Sequence, residues 1–123
     1  MTPLDRYRKH SALFDYWNAE LLDGLAPQEV NPKKVRQASA ESLQELRALQ
    51  GLLQDELAAG VDRLIAERTR IDRQLQGGAF NPAQADLLRR DVEAQTRQVH
   101  RELFWRDVQD RLKASPTTDA NPH

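Results

Sequence analysis

Three dipeptides constrain this chain more than anything else in it. Thr2-Pro3, Asn31-Pro32 and Asn81-Pro82 each place a residue able to accept a backbone N–H directly before a proline. Proline at the first helical position gives up only an N–H that would lack an intrahelical partner anyway, so each pair marks a helix start. Asp5 and Gln84 stand three residues after two of these caps, where a capping box takes an acid or an amide. The stops are equally plain: Gly24 with Pro27, Gly77-Gly78, and Ser115-Pro116. The chain is therefore expected to form one helical domain over residues 1–115, with helices near 3–24, 32–76 and 82–113. Residues 116–123 are expected to be a disordered tail. Ser42-Leu43-Gln44-Glu45 is itself a capping-box pattern and offers a second start inside the middle helix. The unbroken version is preferred, because serine is tolerated mid-helix and no Gly or Pro intervenes.

Apolar residues recur with helical spacing throughout. Leu43, Leu46, Leu49, Leu53, Leu57, Leu64, Ile71 and Leu75 follow steps of three, four and seven, and Leu88, Val92, Val99, Leu103 and Leu112 form a comparable stripe. No alternating strand pattern occurs. The segments Glu45 to Gln76 and Pro82 to Lys113 match in length, each about 48 Å at 1.5 Å per residue, and a short Gly-Gly linker joins them. The expected fold is all-α: a long, coiled-coil-like antiparallel helical hairpin folded about Ala79. This brings Leu64 near Gln95, Leu57 near Leu103 and Leu53 near Trp105. Tyr7, Phe14, Tyr16 and Trp17 lie on the first helix, and Phe104 and Trp105 lie late in the last. The first helix is thus expected to pack at the hairpin's open end.

Charge narrows the function classes. Eighteen basic residues against nineteen acids give a net charge of −1, without the basic excess that nonspecific nucleic-acid binding usually carries. Arg predominates among the basic residues, as codon usage in a GC-rich bacterial genome would produce. With no cysteine, disulfides and thiolate metal sites are excluded, and a reducing cytoplasm suits the chain. No apolar run approaches the ~20 residues that span a bilayer, and the N-terminus lacks the basic-then-apolar order of a signal peptide. The expected location is the cytoplasm, with no membrane association.

The residues that carry chemistry are sparse. His10, His100 and His123 form no Glu-x-x-His or His-x-x-x-His pair, and His100 is expected to sit half-exposed beside the core. Asp55, Glu56, Asp62, Glu67 and Asp72 interleave with arginines, as on a solvated helix face. Heptad counting from Leu43 puts Glu67 and Gln74 on the inner stripe, but drift of the 3.6-residue period moves them off it. Gly77-Gly78 lacks the spacing and lysine of a phosphate loop. No catalytic, cofactor or metal site is expected, and the chain is not expected to be an enzyme.

Three surfaces remain. Leu13 and Tyr16 form a second apolar stripe on the first helix beside Phe14, Trp17, Leu21 and Leu25. Leu13, Tyr16 and Trp17 are therefore the expected partner-binding residues. Ala58-Ala59-Gly60 is a small-residue patch. A mid-helix glycine costs about 1 kcal/mol relative to alanine, so its presence points to a bend or to close approach of another backbone, from the same chain or a second subunit. Ala58, Ala59 and Gly60 are thus the expected contact of a homodimer. Finally, eight arginines between Arg63 and Arg101 face five acids, a local +3. Arg68, Arg70, Arg73, Arg89 and Arg90 make a candidate basic surface. Size and expected shape resemble the small bacterial helical export chaperones of flagellar and type III secretion systems, in architecture alone and without a residue-level match. The leading expectation is a non-catalytic protein–protein interaction module, a regulator, adaptor or secretion-type chaperone. The alternative is a nucleic-acid-associated factor using the arginine-rich arm.

Overall fold

The computed structural model describes residues 1–26, 29–78 and 81–114. The described residues are predominantly helical. In order they form α1 (Pro3–Gly24), α2 (Pro32–Leu52), α3 (Asp55–Gln76), α4 (Pro82–Glu102) and α5 (Trp105–Val108), followed by a 3-10 turn, Gln109–Arg111. The three cap-proline starts are where the dipeptides place them. Thr2 and Asn81 each form a complete capping box, with Asp5 and Gln84 reaching back, and the Asn31 side chain accepts the Lys34 N–H. The expected linker residues Ala79 and Phe80, the stop at Pro27 and the tail 116–123 lie outside the described residues.

The long middle helix does not exist. Leu53 and Gln54 adopt extended backbone and split the expected helix 32–76 into α2 and α3. Their conformation is stabilised from far along the chain: the Gln54 N–H donates to the Arg111 carbonyl, and the Lys113 N–H donates to the Leu52 carbonyl. The break therefore has its backbone groups satisfied without a glycine or proline. The last helix is also shorter than expected, ending at Glu102 rather than near 113.

Because of the break, α2 folds back along α3 and the long two-helix arm is replaced by a four-helix arrangement. His10 meets Glu45 and Lys34 meets Glu20, tying α1 antiparallel to α2. Ser39 Oγ donates to Asp72, and Gln76 donates to the Arg36 carbonyl, so α2 runs antiparallel to α3. Gln95 donates to the Leu64 carbonyl and Arg70 meets Asp91 across α3 and α4. Asn18–Thr96 and Tyr7–Leu103 contacts return α4 to α1. This up-down-up-down closure lets each helix bury one stripe against two neighbours. Helix α1 accordingly runs along α2 and α4 instead of capping an open end. At its exit Gly24 touches α2 so closely that a Cβ there would come within 2.8 Å of Val35 Cγ2.

The core has two apolar halves. One contains Tyr7, Phe14, Leu46, Leu49, Leu64 and Val99; the other contains Leu21, Val35, Ile71, Leu75, Leu88 and Val92. Burying each such side chain contributes about 1.5–3 kcal/mol. Between the halves, each long helix contributes to a buried polar layer: Asn18 from α1, Ser42 from α2 (which also buries Ser39), Arg68 from α3 and Gln95 from α4. The Arg68 guanidinium donates through Nε to Gln95, through Nη1 to Ser42 (3.0 Å) and through Nη2 to Asn18 (2.9 Å). Its charge also lies 5.3 Å from the Phe14 ring centre. Arg68 is fully buried, which removes it from the basic surface expected of it. It lies four residues after Leu64 and three before Ile71, on the inner stripe. Glu67 and Gln74 lie off the inner stripe, as the drift of the helical period requires.

Candidate functional site

Where α4 ends, the chain cannot bury three consecutive apolar residues on one helical face. Leu103 turns inward, and its carbonyl accepts the buried Tyr7 hydroxyl at 2.8 Å. Phe104 adopts extended backbone, and a new short helix begins at Trp105. This offset leaves a cleft of about 440 Å³ between α1 and the α4–α5 junction. Its floor is apolar: Phe14, Val99 and Leu103. Ser11 and Ala12 line the α1 side, while Phe104 stands at the edge with 45% of its surface exposed.

The charged groups around the cleft differ in their commitments. Asp15 and His100 hold each other at 2.7 Å across the rim, both substantially exposed. Arg8 lies over the Trp105 ring, 4.5 Å from its centre, and Arg106 lies over the same ring at 5.0 Å. Phe104 packs beside this stack, its ring centre 5.9 Å from that of Trp105. Cation–π contact holds both guanidinium groups near the cleft without neutralising them. Neither forms an ion pair among the described residues. Asp5 feels the Arg8 charge, but its carboxyl is held low chiefly by hydrogen bonds to Thr2.

The residues expected to bind a partner lie elsewhere on α1. Tyr16 is 56% exposed, with its ring packed edge-on against Trp17 at 5.0 Å. Trp17 is half-buried against the second core half, Leu13 is half-buried, and none of the three lines the cleft. Ala58 packs against the first core half, while Ala59 and Gly60 face outward. A Cβ on Gly60 would meet nothing within 4 Å, so no backbone of the same chain approaches it.

The basic surface is largely cancelled. Arg70 pairs with Glu67 at 2.7 Å and Asp91 at 3.2 Å; these bonds raise its pKa, and Arg70 holds the Glu67 carboxyl below its usual range. Arg89 pairs with Asp86 and Glu93, and Arg90 shares Asp86. Of the five expected residues, Arg68 is inside, three are paired, and Arg73 is exposed. Among the described residues no group of three His, Asp or Glu side chains converges to hold a metal ion, and no helix is long and apolar enough to cross a membrane.

The Arg8–Trp105–Arg106 stack was not among the expected sites. Its one sequence signal is the run Leu103-Phe104-Trp105, whose third member has no inner face left to occupy in a continuous helix. No protein-family model, curated protein or solved structure matches this chain.

Proposed function

We propose that the chain is a non-catalytic protein–protein interaction module: a small adaptor, regulator or secretion-type chaperone of the bacterial cytoplasm. The observation that carries this is the cleft at the α4–α5 junction. An open apolar floor, an exposed phenylalanine and two arginines without carboxylate partners form the kind of concave, aromatic-edged surface on which recognition concentrates. Tyr16 supplies a second exposed aromatic, on a different face of α1. Self-association through Ala58, Ala59 and Gly60 belongs to the same proposal, supported by the outward face of Ala59 and Gly60, which no part of the same chain approaches.

A photo-crosslinking amino acid placed at Phe104, at Tyr16 or, as control, at Arg90 tests this in cells. Docking predicts one discrete adduct from Phe104 or Tyr16 and none from Arg90. Equal, diffuse labelling from all three refutes it. Arginine stacked on tryptophan beside an exposed phenylalanine also occurs where single-stranded nucleic acid binds, which keeps a nucleic-acid-associated factor as the second reading. A steep fall in affinity with salt would favour that reading.

A further inference from the structure

Resting on the docking role just proposed, we infer that the cleft between α1 and the α4–α5 junction receives an acidic–apolar segment of a partner protein. An aliphatic or aromatic side chain enters against Phe14, Val99 and Leu103, and a neighbouring Asp or Glu lies on Arg8 and Arg106. Two features of the cleft select this occupant.

The first is charge. Arg63, Arg70, Arg89 and Arg90 each pair with an acid of this chain. Arg8 and Arg106 are instead oriented by an indole ring, which fixes their position but leaves their hydrogen-bond donors free. A carboxylate is the complement they lack, and a preoriented guanidinium binds one with little further ordering.

The second is shape. A cleft of about 440 Å³ with an apolar floor accommodates one or two side chains, not a run of stacked bases. The Trp105 ring, the natural stacking platform, is already covered by guanidinium groups. A net charge of −1 gives no long-range attraction for a phosphate backbone. Phe104, half-exposed at the edge, offers a further apolar surface to an inserted side chain.

The test uses a random dodecapeptide phage library selected on the full chain, on Arg8→Glu/Arg106→Glu, and on Arg73→Glu as a charge-reversal control away from the cleft. The inference expects peptides enriched on the wild type to carry Asp or Glu beside Leu, Phe or Trp. The strongest of them, synthesised and labelled, should bind at least about tenfold more weakly to the double variant, the loss expected for one charge-assisted contact. Arg73→Glu should bind it like the wild type. Circular dichroism melting of the double variant establishes that it is folded; if it is not, Arg8→Gln alone, which keeps the stem on Trp105, replaces it. Enrichment of basic or uncharged peptides, equal binding by the double variant, or no enrichment each overturns the inference. So does tighter binding of a labelled oligothymidylate than of any selected peptide. If the inference fails while Phe104 still gives a discrete protein adduct in cells, the partner chemistry is wrong and the docking role stands. Loss of both results removes both.

Discussion

Replacing Arg68 alone should hurt the protein far more than replacing the whole polar layer around it. Burial pulls the Arg68 pKa well below the ordinary guanidinium range, down to about 10. That difference corresponds to about 3 kcal/mol by which the folded state disfavours the charge. The sign matters. For a base with a depressed pKa the cost is constant below about pH 10, where both states carry the proton, and it is relieved only as pH climbs from there toward the ordinary guanidinium range. Across the neutral range the charge is simply a burden. Against it stand three hydrogen bonds to neutral acceptors, each contributing about 1.5–3 kcal/mol when the donor is charged. Arg68→Met therefore removes a burden of about 3 kcal/mol and bonds worth about 5–9 kcal/mol. The expected net loss is about 2–6 kcal/mol, with the Gln95 and Asn18 carbonyl oxygens left facing a thioether. Changing Asn18→Leu, Ser42→Ala and Gln95→Leu together with Arg68→Met removes the orphaned acceptors as well. That variant should return to within about 2 kcal/mol of the wild type. Urea titration followed by circular dichroism reads both, with the slope expected to stay constant. A single variant with an unmoved midpoint, or a fourfold variant less stable than the single one, refutes this balance.

Two further substitutions probe other parts of the bundle. Tyr7→Phe removes the hydroxyl bond to Leu103 and should cost about 1 kcal/mol at pH 7. Burial raises the Tyr7 pKa well above its ordinary 10.0, so the wild type should lose stability above pH 10 as the unfolded phenol ionises. The gap between wild type and variant must then shrink at pH 11, and an unchanged gap in urea titrations at the two pH values contradicts this. Gly60→Ala, at an exposed helical position with open space around it, should stabilise the monomer by about 1 kcal/mol. A lower Tm, together with light scattering that falls from twice 14.1 kDa toward that mass, would instead reveal a second chain against Gly60.

The starts of α1, α2 and α4 were legible because Thr2, Asn31 and Asn81 act within three residues of themselves. So was one long-range contact, Leu64 beside Gln95, because it depends only on folding two helices about the Gly77-Gly78 turn. The break at Leu53-Gln54 was hidden because what holds it lies at residues 111–113, almost sixty positions away. The local signal that did exist pointed to the wrong place: Ser42 is no cap but a buried member of the polar layer, donating to the Ser39 carbonyl and accepting from Arg68. Arg68 was misplaced by its type. Its position in the helical period, between Leu64 and Ile71, already put it inside, and only the habit of placing arginine in water put it out. The cleft was illegible for a further reason. It exists because α4 stops early, so its walls come from the two ends of the chain, Arg8 and Trp105.

The pairing of residues 111–113 with the break between α2 and α3 also sets an order of events. During synthesis α1 and α2 leave the ribosome first, and their mutual contacts are available at once. The corner that turns α3 back onto α2 cannot be closed by its own backbone partners until the segment around Leu112 has also emerged. Until then the Leu53–Gln54 stretch has no partner to hold it extended, and nothing in its composition forbids the straight helix that local propensity favours. The segment around Leu112 is thus what favours the bent corner over a straight continuation of α2 into α3.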